Sequence, residues 1–346
     1  MATITKRGDH QWQAKIRRRG YPAQSKTFER KSEAEAWAAV IESEMARSVF
    51  VDRSVAKRTT LEDVIKNYMR DVMPEKKGAD VLETRLNRFL REESDLTVRF
   101  MDSLRVEDFE DYRDRRKKKK KKNGKPLEGS TVNRELNDLQ SIIQQVCRRL
   151  NLAENPVKGV ARLKGKGPRD VRLSSEDELK LLEAIDGARN RFLKPAVVLA
   201  LETSMRRGEL LSLEWDRIDW DSKTAHLPDT KTGDPRDVPL SSKAIQVLKE
   251  LRDMPSDKVL KKLEEKYPNK VLKTSVQGLK NAYERARKRA GLEHINFHDL
   301  RHEATSRLVE RGFGIEKTSV LTGHRDWRSL KRYTHLKASD IAKELG

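Results

Sequence analysis

The N-terminal residues alternate between apolar and polar side chains, which is typical of half-buried β-strands. Residues 11–17 show this alternation, residues 20–22 supply a turn, and residues 25–28 continue the pattern. A helix should follow, because Ser32 and Glu35 have the spacing of a capping box. Four apolar residues then share one helical face that can cover the sheet: Trp37, Val40, Ile41 and Met45. The pattern predicts a small antiparallel sheet with one helix packed on it.

A helical period replaces this alternation further along the chain. Residues 50–58 lack apolar periodicity and indicate a linker, and Thr60 stands where it can cap the next helix. Apolar residues then recur at helical spacing in four groups: Leu61, Val64, Ile65, Tyr68 and Val72; Val81, Leu82, Leu86, Phe89 and Leu90; Val106, Phe109 and Tyr112; and Val132, Leu136, Leu139, Ile142, Ile143 and Val146. We expect an all-helical bundle that ends at Asn155-Pro156.

Helices and strands are mixed in the last part of the chain. Glycine and proline in residues 164–169 indicate an interdomain linker, after which Ser174 or Ser175 caps a helix. The apolar positions of that helix are Leu179, Leu182 and Ile185. The pattern then predicts further elements: a buried helix over residues 196–201, strands over 224–227 and 237–240 joined by a turn at 231–234, and a helix over 276–290.

Together these elements predict a mainly α fold with small β elements, organised in three domains. Residues 1–55 form a sheet-plus-helix module, residues 56–164 a helical bundle, and residues 165–346 a mixed α/β domain. A chain of 346 residues is too long for one ordinary hydrophobic core, which supports the division.

Charge gives the first indication of a partner. Lys and Arg number 75 against 55 Asp and Glu, so the net charge is +20 and a polyanion is expected. Nucleic acid is favoured over a membrane surface, since no stretch approaches the roughly 18 apolar residues of a spanning helix. Residues 1–7 lack the apolar core of a signal peptide, so we expect a cytosolic protein. The single cysteine, Cys147, lies on an apolar helical stripe and is expected to be an inert core thiol.

Two basic segments are candidates for contact with a nucleic-acid backbone. The outer positions of the N-terminal strands are basic: Lys15, Arg17, Arg18, Arg19 and Lys26. They indicate either a sheet presented to phosphates or the solvated face of a packing module. Residues 117–122 are six consecutive lysines between the third and fourth helices of the bundle. This run is either a mobile solvated segment or one that follows a DNA backbone.

Residues suited to phosphoryl-transfer chemistry occur in a fixed order in the last domain. In chain order they are Arg206 with Glu209, Lys231 in the predicted hairpin, His298 with Arg301, Gly323-His324, and Tyr333 nine positions after His324. His298 and His302 are four positions apart, a spacing that zinc sites also use. Glu303, however, is not placed as in the His-Glu-x-x-His pattern of zinc peptidases. We therefore interpret His302 as structural support and expect no metal.

This order and spacing resemble those of the tyrosine recombinase family, also called phage-type integrases. The resemblance covers about residues 170–346, and the local sequence around these motifs is most similar to that of shufflon-type and phage integrases. It implies that residues 1–55 are an arm-type DNA-binding module, that residues 56–164 are a SAM-like core-binding domain, and that the rest is the catalytic domain. Ser204 stands where many members of the family have glycine.

The resemblance implies a site-specific recombinase that forms a covalent phosphotyrosine, and elementary chemistry explains the residue types. The transition state of phosphodiester cleavage carries charge on its nonbridging oxygens, so it needs fixed cationic donors such as Arg206 and Arg301. Tyr333 can attack phosphorus as the nucleophile. Because a phenol ionises only near pH 10, Tyr333 needs help from a base or a cationic field, and His298 is the expected acid/base partner.

Three further roles follow from the same resemblance. Lys231 protonates the leaving 5′ oxygen, and His324 donates a hydrogen bond to a nonbridging oxygen. Glu209 orients the arginine and the histidine instead of performing chemistry. Arg207 is expected at the surface or on the DNA backbone. No metal or other cofactor is required in this scheme.

The implied partners are double-stranded DNA carrying recombination sites and further copies of the same chain. Four protomers would form a homo-tetramer on DNA and pass through a Holliday junction, with DNA-bending or directionality proteins as possible accessories. We expect a phage or mobile-element integrase acting on nucleoid DNA in the bacterial cytoplasm. Residues 336–345 keep an apolar pattern and are expected to dock either on a neighbouring protomer or on their own domain.

Two other classes of protein stay open from the sequence. A type IB topoisomerase uses similar chemistry but relaxes DNA without sequence-specific synapsis, and the arm-like module argues against it. A noncatalytic DNA-binding regulator accounts for the charge and the helices, but it does not account for the ordered set of candidate catalytic residues.

Overall fold

The computed structural model describes residues 2–76, 78–121, 124–165, 167, 169, 171–228, 235–324, 326–330 and 333. These residues form a mainly helical fold with two small antiparallel sheets, which confirms the predicted fold class. Contacts divide the chain into two compact units, Met1–Pro168 and Arg169–Gly346. The division into three domains stays a prediction. Within the described ranges, no helix has both the length and the apolar composition needed to cross a membrane.

The first unit begins with a three-stranded antiparallel sheet covered by one helix. The strands are β1 (Ala2–Gly8), β2 (Gln11–Ile16) and β3 (Gln24–Phe28), in that order, and α1 (Lys31–Ala46) packs on them. The central strand β2 pairs Lys15 with Thr3 on one side and with Ser25 on the other. The core between sheet and helix contains three alanines and two larger side chains: Ala14, Ala34, Ala38, Ile16 and Met45.

Three details of this module differ from the sequence-based expectation. Strand β1 was not predicted. The capping box at Ser32 and Glu35 is wrong, because α1 has Arg30 as its N-cap and no side-chain cap. Val40 does not face the sheet and is 56% exposed. At about 100° per residue it lies about 140° around the helix from the buried Met45.

Two segments beside this sheet bear on the predicted DNA contacts. Lys15 and Arg17 are exposed on either side of the buried Ile16, as alternation predicts. Lys26 is also exposed, but it pairs with the buried Ala14 and therefore lies on the face of the sheet that carries the core, so its predicted outer position is wrong. Residues 50–58 were predicted to be a linker, and they contain no helix or strand, although parts of the segment are packed. Ala56 is fully buried in the core of the bundle, and Phe50 packs against the core of the sheet.

A helical bundle follows and contains the five helices α2 (Leu61–Asp71), α3 (Ala79–Glu92), α4 (Ser94–Thr97), α5 (Val106–Lys118) and α6 (Gly129–Cys147). Thr60 caps α2 as predicted: its hydroxyl accepts from the Asp63 amide at 3.1 Å, and Asp63 accepts from the Thr60 amide at 2.9 Å. Val81 was predicted to be buried but is 56% exposed, since Leu86 and Phe89 form the inward face of α3. Cys147 is buried, and burial raises the pKa of its thiol, in agreement with an inert core role.

The lysine run does not lie wholly between two helices as predicted. Lys117 and Lys118 complete the last turn of α5, where cations interact favourably with the helix dipole. Lys119 donates to Glu92 at 2.8 Å. Lys122 lies outside the described residues, and contact of this run with DNA stays a prediction.

The second unit is built around one buried helix. Its helices are α7 (Ser175–Asp186), α8 (Leu193–Thr203), α9 (Arg207–Ser212), α10 (Ser242–Arg252), α11 (Lys258–Lys266), α12 (Val276–Arg289), α13 (Phe297–Glu310) and α14 (Ile315–Thr322). Helices α7, α10, α12 and α13 pack around α8, whose residues 196–201 are all buried, as predicted. Ser174 caps α7 by accepting from the Asp177 amide at 3.0 Å. Leu179 is 62% exposed, contrary to expectation, because Leu181 and Ile185 take the inward face.

A second three-stranded sheet lies between α9 and α10 in the chain. Its strands are β4 (Ile218–Asp219), β5 (Thr224–Leu227) and β6 (Arg236–Pro239), paired antiparallel in that order. The β5–β6 hairpin was predicted and β4 was not. Leu227 pairs with Arg236, which is the last pair before the connection between β5 and β6. Lys231 belongs to that connection in the sequence.

Candidate active site

Arg206 lies where the backbone turns sharply between α8 and α9. Ser204, the C-cap of α8, has φ +54°, a left-handed conformation that explains why glycine is suited to this position. Arg206 is the N-cap of α9 and donates its backbone N–H to Glu209 Oε2 at 2.8 Å. Its Nη1 donates to Glu209 Oε1, also at 2.8 Å. The three-residue spacing of the arginine and the glutamate is therefore the spacing of a capping box.

Glu209 is the carboxylate that holds this arginine in place. It is 5% exposed, and it also accepts from Arg236 Nη1 at 3.0 Å and from Nη2 at 2.7 Å. Burial alone would raise the pKa of Glu209, but hydrogen bonds from Arg236 and Arg206 outweigh it and lower that pKa to about 2. An ionised carboxylate with both oxygens bound by arginine orients its neighbours and does not transfer protons.

Sequence reasoning missed Arg236. It opens β6, where burial alternates: Val238 is fully buried, and the side chain of Arg236 on the same face is only 12% exposed. Period-two alternation therefore carries a usable signal, because a residue two positions before a buried valine faces the interior. A basic residue at such a position calls for a buried anion, which Glu209 supplies.

Arg301 is the most buried of the arginines at the site. It is 3% exposed and donates to the backbone oxygens of Ser204 and Thr322, the latter at 2.6 Å. Burial, followed by the charge of nearby Arg206, lowers the pKa of Arg301 to about 10. The guanidinium is still charged at neutral pH.

Helix α13 is fixed in place by its own buried acidic residues. Glu303, 2% exposed, accepts from Arg172 Nε and Arg307 Nε at 2.8 Å and from the Leu173 amide at 3.0 Å. Burial would raise the pKa of Glu303, but the bond from Arg172 leads the interactions that lower it. The bonds from Arg172 and Leu173, which lie outside α13, fix the helix that carries His298, Arg301 and His302.

Gly323 and His324 follow the end of α14. Gly323 has φ +67°, and a Cβ there would lie 2.8 Å from the guanidinium of Arg236, so only glycine fits. The Thr322 hydroxyl donates to the Thr318 carbonyl at 2.7 Å, which leaves its oxygen to accept from His324 Nδ1–H at 2.5 Å. Nε2 of His324 then carries the lone pair and faces Arg301 Nη2 at 3.4 Å.

His324 is a neutral imidazole in this arrangement. Burial lowers the pKa of its ring, and the charges of Arg301 and Arg206 lower it further, to about 3. The ring therefore accepts a hydrogen bond from Arg301. A bound phosphate would oppose this shift and favour the protonated, donating form predicted from the sequence.

The candidate nucleophile lies against α13. Tyr333 is partly buried, and its hydroxyl is hydrogen-bonded to Nδ1 of His302. The ring of His302 in turn meets the ring of His298, with centroids 4.8 Å apart and planes at 78°. The structure thus places the predicted structural support, His302, at the reacting oxygen, and His298 beside it.

Most of the residues predicted from the sequence come together in the second unit. Arg206, Arg236 and Glu209 form one hydrogen-bonded group, and Arg301 and His324 form another. Arg206 Nη2 links the two groups by donating to the carbonyl of Gly323, next to His324, at 3.4 Å. Tyr333 is linked to the same helix as Arg301. Lys231 lies outside the described residues, as do residues 336–345, so predictions about them are unchanged.

Comparison with known proteins identifies the family. The model of the phage integrase family matches residues 171–340. The shufflon-specific DNA recombinase of Escherichia coli is 35% identical over 84% of this chain and 72% of its own length. A putative integrase/recombinase of Haemophilus influenzae is 28% identical over 99% of this chain and 89% of its own. The chain therefore belongs to the phage integrase family.

Solved structures show the same fold. The Tn1549 transposon integrase in complex with circular intermediate DNA superposes with a TM-score of 0.65 at 19% identity, over 83% of this chain and 99% of that one. The lambda integrase tetramer bound to a Holliday junction gives a TM-score of 0.61 at 16% identity, over 98% of each chain. Family and fold agree, and the protein is a site-specific tyrosine recombinase.

Proposed function

We propose that this recombinase cleaves and rejoins double-stranded DNA through a covalent 3′-phosphotyrosine formed by Tyr333. One observation carries the proposal: Arg206 and Arg236 both bind the carboxylate of Glu209, and the buried guanidinium of Arg301 lies close enough for its charge to interact with theirs. The surplus of positive charge lies in a mostly buried site, where a charge interacts more strongly than in water. A phosphodiester is an anion that would balance it.

In the proposed reaction, the oxygen of Tyr333 attacks phosphorus and the bond from phosphorus to the 5′ oxygen breaks. The phenol proton goes to an imidazole of α13, where His302 is hydrogen-bonded to the hydroxyl and His298 packs against the ring of His302. Arg206 and Arg301 stabilise the charge on the nonbridging oxygens. Because the phosphotyrosine conserves the energy of the broken bond, rejoining needs no ATP.

Two roles in this scheme rest on the resemblance to the family. Lys231 would protonate the leaving 5′ oxygen, a task suited to a flexible ammonium in a hairpin. His324 would donate to a nonbridging oxygen once the phosphate has offset the neighbouring arginines. Glu209 would hold the guanidiniums of Arg206 and Arg236 in fixed positions beside the phosphate.

The relatives suggest the assembly and the setting. Lambda integrase forms a tetramer on a Holliday junction, and we propose that four copies of this chain do the same at paired recombination sites. Residues 1–55 would serve as an arm-type module and residues 56–164 as the core-binding domain. Accessory proteins that bend DNA or set direction would assist a phage or mobile-element integrase acting on nucleoid DNA in the bacterial cytoplasm.

A nicked suicide substrate tests the proposal. The DNA flanking the gene serves as the source of candidate sites, and a nick beside the scissile phosphate lets the 5′ fragment diffuse away and traps the covalent adduct. Wild type should form the adduct, whereas Tyr333→Phe should bind the DNA without forming it. Arg217→Ala, which removes a surface arginine, should behave as wild type. DNA binding by wild type without an adduct would contradict the proposal.

A further inference from the structure

The reacting oxygen of Tyr333 is paired with a histidine that the sequence did not assign to chemistry. Nδ1 of His302 is hydrogen-bonded to the Tyr333 hydroxyl, and the two ring centroids are 6.1 Å apart with planes inclined at 33°. We infer that His302, and not His298, accepts the phenol proton when Tyr333 attacks phosphorus. The inference rests on the proposed function, because it assigns a proton transfer within that reaction.

The position of the ring suits a general base. A base must lie within hydrogen-bonding reach of the proton that it removes, and Nδ1 of His302 meets that condition. In the neutral tautomer that accepts at Nδ1, the ring carries its proton at Nε2. Helix α13, which carries this ring, is held in place because the next residue, Glu303, accepts from Arg172 and from the Leu173 amide.

His298 has a different task in this arrangement. It lies one helical turn before His302, and the rings meet edge to face with centroids 4.8 Å apart. Such packing restricts rotation of the His302 ring and keeps Nδ1 directed at the phenol. We therefore assign His298 as a positioning residue for the base.

Arg301 favours the product of this proton transfer. It directly precedes His302 on α13, and its electrostatic interaction with Tyr333 is one that raises the pKa of the guanidinium. The same interaction favours the phenolate, because attraction between two charges stabilises both. A nearby cation and an adjacent base are the two means by which a phenol is activated at neutral pH.

The proton and the electrons balance in both directions. In cleavage, the Tyr333 oxygen forms a bond to phosphorus, its proton moves to Nδ1 of His302, and the 5′ oxygen leaves with a proton from the general acid. In rejoining, the 5′ hydroxyl attacks phosphorus and returns its proton to the general acid, the phosphotyrosine bond breaks, and the His302 imidazolium returns its proton to the phenolate.

The test separates basicity from hydrogen bonding. His302→Asn places an amide where it can still accept from the phenol but cannot take up a proton. Adduct formation on the suicide substrate should then slow by about 100- to 10,000-fold. Replacing Tyr333 in that variant by a difluorinated tyrosine, whose phenol is more acidic, should restore most of the rate. His294→Gln, which alters an exposed histidine four positions before His298, should match wild type.

A second substrate distinguishes the base from the acid. A bridging 5′-phosphorothiolate leaves without needing a proton, so it should rescue Lys231→Ala but not His302→Asn. An unchanged rate in His302→Asn would overturn the inference, and so would a faster rate, which would show that the contact restrains Tyr333. If His302→Asn is slow and the difluorinated tyrosine does not restore its rate, His302 has a structural role and is not the base. If wild type itself forms no adduct, the proposed function fails instead.

Discussion

Glu209 receives both terminal nitrogens of Arg236, at 3.0 and 2.7 Å, although 27 positions separate the two residues in the chain. The pair joins the second three-stranded sheet to the start of α9. Because the same carboxylate also accepts two bonds from Arg206, one buried anion sets the positions of two guanidiniums. The pair formed by Arg206 and Glu209 is therefore completed by a third residue, Arg236, which lies on strand β6.

Replacing Arg236 should damage cleavage more than DNA binding. Arg236→Ala leaves the buried Glu209 carboxylate with half of its partners, and breaking such a pair costs roughly 3–5 kcal/mol of stability. The rate of adduct formation should fall by about 100-fold, because Arg206 loses its fixed geometry. Arg236→Lys should recover part of the stability but little of the rate, since an ammonium lacks the planar fork with which a guanidinium binds both oxygens of a carboxylate. Equal rates in Arg236→Ala and the surface variant Arg217→Ala would contradict this role.

Gly323→Ala tests the close approach of the loop after α14 to Arg236. A Cβ at this position would lie 2.8 Å from three atoms of the guanidinium, and the backbone φ is +67°. Gly312 offers a matched control, because its φ is +83° and a Cβ there would meet open space. Both substitutions should cost about 1–3 kcal/mol through backbone strain, but only Gly323→Ala should also slow cleavage. Similar cleavage rates in the two variants would refute the steric argument.

The free energy of unfolding should fall at acidic pH in a way that reflects the lowered pKa of Glu209. Its folded pKa is about 2 against an ordinary value of 4.5, so its contribution to stability is complete above pH 4.5 and is lost as the pH falls toward 2. The test measures the free energy of unfolding of wild type and of Glu209→Gln in urea. The stability advantage of wild type over the variant should be about 2 kcal/mol smaller at pH 3 than at pH 6. A difference that does not change with pH would show that Glu209 is not held ionised by its arginines.

His324 should stay neutral in the protein without DNA. With a pKa of about 3, its ring should show one protonated and one unprotonated nitrogen from pH 8 to pH 5. Nitrogen NMR of histidine-labelled protein checks this, with the Nδ1 signal in the N–H range. Adding uncleaved DNA to Tyr333→Phe should shift the ring toward the protonated form, because the phosphate offsets the arginine charges. Titration of His324 near pH 6.5 in the free protein would contradict the charge arrangement.

Local signals in the sequence predicted local structure well. Thr60 and Ser174 cap the helices that they precede, and the uninterrupted apolar run at residues 196–201 forms the most buried helix of the second unit. These features depend on neighbouring residues alone. Val40, Val81 and Leu179 were misplaced because apolar character does not say which of several apolar faces a helix buries.

The site was only partly predictable for the same reason. Arg206, Arg301 and His324 were found because their order along the chain resembles a family motif. Arg236 and His302 gain their importance from contacts across the fold, with Glu209 and Tyr333 respectively. The alternation of buried and exposed residues along β6 points to Arg236. The sequence gives no sign that His302, rather than His298, contacts the phenol of Tyr333.

Mapping the covalent adduct tests the proposed mechanism most directly. After reaction of wild type with the suicide substrate, proteolysis and mass spectrometry should find a single peptide that carries the 3′-phosphoryl DNA end, attached to Tyr333. Adduct formation should require Arg206 and Arg301, whose alanine variants should still bind the DNA. Attachment of the DNA to any residue other than Tyr333, or an unmodified protein beside cleaved DNA, would contradict a recombinase that acts through this tyrosine.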